Sequence, residues 1–299
     1  MKIIKVAILL LIIVISTLIN NYCQSNEIRV GSELSTLVRG MVVPFLIPSI
    51  IDLTDNKSWK SSQRKLIRCG ILQKDTPIRI SFAYLFRIKV DGKYFLVQNT
   101  RTKKYQPVGG TYKFFKDEAD YLKNNFSVEN DNRIPVDQIT KRDYRLLVKS
   151  KDLRRFVRRF NKTPHRENIS NLSREFSEEI FSTGILDKNE FGELSYKYCG
   201  RHMTNVEYSS VFKHYELLLA DVIEVKLSET QEQLFKSLIG KDCEKYRFAT
   251  ADEIKSFGVS FGTSDLTDNI ANHTPKILNE NTDKLIIRNK QNNTITIRL

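Results

Sequence analysis

The chain has 299 residues and a net charge of +13, a size that holds one ordinary domain plus appendages and a charge that favours anionic partners. Those partners are nucleotides, nucleic acid or the cytoplasmic lipid surface. Cys23, Cys69, Cys199 and Cys243 form no C-x-x-C pair and the four histidines form no cluster, which argues against a zinc site or a disulfide framework.

Residues 3–19 are almost wholly apolar, interrupted by Lys5, Ser16 and Thr17. At 1.5 Å per residue this run reaches about 25 Å, enough to cross a bilayer when Lys2 and Lys5 snorkel. A cleaved signal peptide has the same basic start, but no small-x-small site follows. A second apolar run covers residues 34–53 and carries Arg39, Pro44 and Pro48. Lys2 and Lys5 precede the first run, and Lys57, Lys60, Arg64, Lys65 and Arg68 follow the second, whereas the connecting loop holds only Arg29 beside Glu27 and Glu33. The positive-inside rule then predicts a transmembrane hairpin over residues 1–54 with both ends cytoplasmic. A basic juxtamembrane linker, 55–77, leads to the soluble part.

Residues 78–89 alternate apolar and polar, which predicts a strand. Asp91-Gly92 turns it tightly into a second strand over 93–99. Tyr105-Gln106-Pro107-Val108-Gly109-Gly110 follows, and its glycine pair permits close backbone approach. In the stretch 149–162, Arg154, Arg155, Arg158 and Arg159 fall on one face at helical spacing and Leu153, Phe156, Val157 and Phe160 on the other. Guanidinium forks bind phosphate, so that face is a candidate for a nucleotide or an anionic lipid, and a solvated basic face is the plain alternative.

Arg174-Glu175-Phe176-Ser177-Glu178-Glu179-Ile180 places Glu175, Glu178 and Glu179 at i, i+3 and i+4, converging on one side of a helix while Phe176 and Ile180 anchor it. Crowded carboxylates repel unless a cation sits among them. Mg²⁺ or Mn²⁺, held by oxygen and bringing a phosphate, suits them, and a solvated acidic face is the alternative. Strands are predicted over 193–203 and 208–226, a helix over 229–238, and a short strand over 246–248. A Thr250/Glu253 capping box opens a helix ending near Gly258. Residues 285–288 and 294–299 read as a C-terminal hairpin within an extension covering 259–299.

The strand, the glycine pair and the Arg-Glu-x-x-Glu-Glu run together resemble the Nudix hydrolase family. The resemblance implies an α/β fold, a Nudix-like α/β/α sandwich with a mixed sheet, over 78–258, with 111–166 as an insertion between glycines and helix. It implies that Glu175, Glu178 and Glu179 bind the metal and that Arg174 orients the glutamates through a salt bridge. Three departures stand out: Glu167, similar to the box's first glutamate, is one residue too close to Arg174; Phe181 replaces an expected glycine; and Val108 separates Pro107 from Gly109. Glu207 and Glu244 are candidate general bases, and Tyr84, Tyr105 and Phe212 candidate base-stacking rings.

A membrane hairpin followed by such a domain resembles the two-pass Nudix effectors of bacterial cyclic-nucleotide antiphage signalling (CBASS). That likeness implies an inner-membrane protein with a cytoplasmic Nudix domain and a nucleotide or cyclic nucleotide ligand. It also implies self-assembly and toxicity through nucleotide (NAD-type) hydrolysis, membrane disruption or both, with no specific nucleic acid as partner. A non-catalytic sensing module controlling a pore, and an ordinary Nudix pyrophosphohydrolase, are the other expectations.

Overall fold

The apolar N-terminal runs fold as helices α1 (Lys2–Ser25) and α2 (Arg29–Thr54), and the chain as a whole forms two compact units, residues 1–61 and 62–299. The computed structural model describes residues 2–54, 58–131, 141–241, 243–258, 269–279, 285 and 293–299, with 2–5 and 47–54 described by backbone alone.

In the first unit the connection between the helices is far shorter than the loop expected over 20–33, so Arg29 and Glu33 lie inside α2. Local bonds extend α1. Ser25 Oγ donates to the Asn21 carbonyl and Asn26 Nδ2 to that of Tyr22, so polar residues prolong the helix rather than ending it. Asn20 Oδ1 accepts from the Ser32 and Ser35 hydroxyls, and Ser16 Oγ donates to the Ser35 carbonyl, which locks α1 against α2. Among the described residues, only residues 6–25 of α1 form a helix long and apolar enough to cross a membrane.

The second unit takes in most of α3 (Trp59–Arg68) and is built around β1 (Pro77–Arg87). Next come β2 (Lys89–Val90) and β3 (Lys93–Gln98), joined by a two-residue turn in which Asp91 and Gly92 both take positive φ, as an Asp-Gly hairpin requires. Then β4 (Tyr105–Gln106) and β5 (Gly109–Thr111) precede α4 (Lys116–Phe126), β6 (Glu129–Asn130), β7 (Arg145–Lys149) and α5 (Leu153–Lys162). The acidic run forms α6 (Arg174–Phe176) and a π-helical turn over Ser177–Phe181, followed by α7 (Lys188–Phe191) and β8 (Glu193–Met203). The strand expected over 208–226 splits into β9 (Glu207–Ser209) and β10 (His214–Val225), because Lys213, at positive φ, closes a turn back to the Ser209 carbonyl. The chain continues through α8 (Glu229–Lys236), β11 (Tyr246–Ala249) and α9 (Ala251–Lys255), which opens on the expected Thr250/Glu253 capping box, to β12 (Ile295–Arg298).

The larger sheet runs β12-β8-β10-β1-β7-β6. Its central pair, β1 with β10, is parallel from Ile78 opposite Tyr215 to Arg87 opposite Glu224. Along the other edge of β1, β7 pairs with its first half and β5 with its second, both antiparallel. Two strands from the stretch expected as an insertion, β6 and β7, therefore join the sheet. The smaller antiparallel sheet runs β11-β3-β2, with β4 also on β3. A mixed α/β architecture results, with Phe82, Tyr144, Phe156 and Phe160 packed in aromatic contact between β1 and α5.

β12 pairs antiparallel with β8, Ile295 opposite Tyr196, and so extends the large sheet. The proposed partner strand lies outside the described residues apart from Leu285. Ile270, Ile277 and Leu278 pack with Leu85, Leu96 and Ile254, so the core continues past residue 258. All four cysteines are free.

Candidate functional site

Two backbone features aim the acidic run at the glycine pair. β5 is held against the second half of β1, Leu85 opposite Gly109 and Tyr84 opposite Gly110. On the helical side, Phe176 and Ile180 are fully buried, Phe176 standing edge-on to Phe86 at 5.5 Å. Burying these apolar side chains pins the turn, and the intervening glutamates point back over β5.

Arg174 is the hub. Its Nε bonds Glu167 Oε1 at 2.7 Å and its Nη2 bonds Glu167 Oε2 at 3.2 Å. Nη1 reaches Glu175 Oε1 at 2.7 Å and Glu178 Oε2 at 3.3 Å, and Nη2 also donates to the Thr111 carbonyl at 3.1 Å. Glu179 Oε2 accepts the Gly109 N–H at 2.8 Å. Three carboxylates thus share one guanidinium, and the fourth, Glu179, is held by a backbone N–H. Glu167, one residue off the family spacing, still pairs because the segment before Arg174 carries no helix and loops freely back to it. Its Oε2 also accepts the Lys113 N–H, which ties the segment to the end of β5.

The turn is not the simple helix expected. Ser182 N–H bonds the Ser177 carbonyl, and Ile185 N–H that of Ile180, an i→i+5 pattern that widens the turn. Glu175 is largely covered whereas Glu178 is half exposed. Burial pushes the Glu175 carboxyl up, against the pull of Arg174. Burial, reinforced by the charge of Glu175, pushes Glu179 to about 8, although the Gly109 N–H opposes the shift.

Both glycines are required, for different reasons. Gly109 has φ +147°, and a Cβ there would strike the Tyr84 carbonyl, so a side chain would break the β1–β5 contact. A Cβ on Gly110 would land on the Glu175 carboxylate, the free end of a flexible side chain. Gly110→Ala is therefore expected to keep the fold and displace Glu175, weakening Mg²⁺ or Mn²⁺ binding about tenfold by calorimetry. Unchanged affinity would remove Glu175 from the ligand set.

Among the described residues, no three Asp, Glu, His or Cys side chains already stand close enough to hold a metal ion. The donors nevertheless suit a hard divalent cation. They are all oxygen, their charge exceeds that of Arg174, and Glu179 holds a proton at neutral pH where a cation would relieve it.

The arginines of α5 lie apart from this centre in their bonding. Arg159 grips the fully buried Glu118 of α4 through Nε at 3.0 Å and Nη2 at 2.6 Å and stacks over Tyr121 at 3.9 Å. Arg154 Nε bonds Gln63, Arg155 pairs with Asp152 at 3.3 Å, and Arg158 is exposed. The expected single guanidinium face is therefore divided, because α4, which the sequence did not announce, supplies a buried acid. Tyr84 is fully buried, Phe212 is half-buried under Arg79 at 3.7 Å, and Tyr105 is half-buried against the core. Glu207 and Glu244 are both exposed. Lys245, next to Glu244, donates from Nζ to the Thr183 carbonyl just beyond the π-helical turn.

Comparison with known protein families matches residues 77–278 to one described as the SMODS-associated NUDIX domain. No curated protein and no solved structure matches the chain. Because the family match takes in more than half of the chain, this protein belongs to the SMODS-associated Nudix domain family.

Proposed function

We propose that the protein is a membrane-anchored Nudix effector of a CBASS-type antiviral system, activated by a cyclic nucleotide, whose acidic turn cleaves a nucleotide diphosphate such as NAD. The observation that carries the catalytic part is the Arg174 hub: one guanidinium orients Glu167, Glu175 and Glu178 while Glu179 backs onto the Gly109 N–H. When bound, Mg²⁺ or Mn²⁺ would supply charge neutralisation for the diphosphate and a more acidic water. Glu175, Glu178 and Glu179 would hold it, and Arg174 would fix their geometry. The family's association with SMODS supports the signalling context. The length and apolarity of α1 and the basic residues flanking both apolar runs support an inner-membrane anchor, two-pass, with the Nudix domain cytoplasmic. In this reading copies assemble in the membrane.

One observation favours a second reading. Among the described residues, the acidic groups are not gathered into a closed metal cage, as a module that senses a nucleotide and gates a membrane pore would allow. Full-length protein in detergent with Mg²⁺ and NAD separates the two. Hydrolysis predicts turnover that Glu178→Gln lowers about 100-fold or more. Saturable cyclic-nucleotide binding without any turnover would sink the hydrolytic reading and leave the sensing one.

A further inference from the structure

The larger sheet has a basic end, and it is the end away from the acidic turn. β1 starts there, with Pro77 opposite Lys149 and Ile78 opposite Tyr215, whereas the glycine pair faces Tyr84 and Leu85 towards the other end. From Ile78 to Leu85 the strand rises about 23 Å. α3 is fastened at the basic end by three hydrogen bonds. Ser62 Oγ accepts the Val206 N–H at 2.8 Å, Gln63 Nε2 donates to the Ser150 carbonyl at 2.7 Å, and Gln63 Oε1 accepts from Arg154 Nε at 3.0 Å. The segment that follows is held too: the Thr76 carbonyl accepts the Ser150 N–H, and the Lys74 carbonyl that of Lys151.

Gln63 is buried, so this seam fixes which way α3 faces. Arg64 and Arg68, one turn apart, and Lys65 beside them are exposed. Ile67 and Ile71 are exposed as well, at 46% and 50%, and on the neighbouring β9–β10 turn Val211 reaches 76%. Asp75 is already paired with Lys149 and Lys151, and Asp152 with Arg155, while Glu207 on β9 does not offset the exposed cations of α3. Cations interleaved with exposed apolar side chains suit an anionic lipid leaflet, where phosphates take the cations and the isoleucines enter the acyl boundary. A nucleic-acid backbone would satisfy the cations but leave those apolar groups in water. Chain order agrees, because α3 follows closely on the second apolar run.

We infer that this end of the Nudix unit rests on an anionic lipid leaflet, with Arg64, Lys65 and Arg68 on headgroup phosphates and Ile67 and Ile71 inserted beside them. The acidic turn, at the far end of β1, then faces the aqueous phase. This inference rests on the membrane-anchor part of the proposed function and adds what the folded unit itself does at the surface.

The test uses full-length protein in nanodiscs of phosphatidylcholine, alone or with about one-third phosphatidylglycerol. Lysine acetylation, read by mass spectrometry, reports which side chains the lipid covers. Lys65 and Lys74 are expected to react about fivefold more slowly in the anionic discs, and Lys226, just past the far end of β10, equally in both. Salt at about 1 M should remove most of the difference. Arg64→Glu/Arg68→Glu should erase it at Lys74 with the melting temperature retained. Ile67→Ser/Ile71→Ser, which leaves every charge in place, should at least halve it. Equal rates in the two lipids, or a difference that survives both variants, overturns the inference. So does a duplex oligonucleotide that shields Lys65 in neutral discs when phosphatidylglycerol gives no shielding. If the chain enters neither disc, the anchor reading and this inference fall together. Insertion with lipid-independent labelling removes the inference alone.

Discussion

Arg174→Ala is expected to lower the stability of the Nudix unit by about 3–5 kcal/mol, and Mg²⁺ is expected to restore part of that loss. The side chain is three-quarters covered and makes five hydrogen bonds, to three glutamates and a backbone carbonyl. Removing it leaves three neighbouring carboxylates with no shared counter-charge, two of them, Glu167 and Glu175, largely buried. A divalent cation bound among the same oxygens replaces the lost positive charge. Thermal melts with and without Mg²⁺ should therefore show a larger metal-induced rise for Arg174→Ala than for the unaltered protein. Arg174→Lys keeps the charge but not the planar fork, so it should sit between the two in stability. Its turnover should still fall about 100-fold, because a displacement near 1 Å in the carboxylates is enough for that. Equal metal-induced shifts in all three proteins would show that Arg174 is a packing residue unrelated to a cation site.

The parts of the fold that local chemistry determines are legible in the sequence. The Asp91-Gly92 hairpin, β8 and the Thr250/Glu253 capping box depend on neighbouring residues alone, and each appears where the pattern puts it. The acidic run is likewise legible as a motif. What escaped depends on contacts distant in sequence. Glu118 cannot be read as the buried partner of Arg159 without knowing that α4 packs on α5. Glu167 is discounted by spacing counted as if the chain were regular, whereas the irregular segment before Arg174 makes the count irrelevant. The i→i+5 turn has no signature in helical periodicity, which assumes 3.6 residues per turn. The pairing of β12 is likewise distant in sequence, since β8 offers it a long edge already ordered against β10. Nor does the apolar pattern of α2 reveal how far into the connecting loop its helix starts, since serines there bond across to Asn20.

Binding of Mg²⁺ by the resting protein is expected to release about one proton at pH 6.5 and to strengthen about tenfold per pH unit until it levels near 8. The proton belongs to Glu179, whose carboxyl burial and the charge of Glu175 push to about 8. In the unfolded chain the same carboxyl has its ordinary value near 4.5. Between those two values the folded state carries the extra proton, so the slope of stability with pH is negative. Without metal, the contribution of Glu179 to stability is greatest below about 4.5, is lost as pH climbs towards 8, and changes no further above that. A bound cation favours the ionised form and flattens this descent. Calorimetry in two buffers of different ionisation enthalpy counts the released proton, and denaturant melts from pH 5 to 8 with EDTA or Mg²⁺ read the slope. Glu179→Gln has no proton to give, so both the release and the pH-dependent part of the affinity should vanish. If the variant keeps the proton release of the unaltered protein, the titrating group is elsewhere and Glu179 is not a metal ligand. The outcome also discriminates among the carboxylates. Glu178 is half exposed, so Glu178→Gln should lower affinity at every pH while leaving the slope set by Glu179 intact.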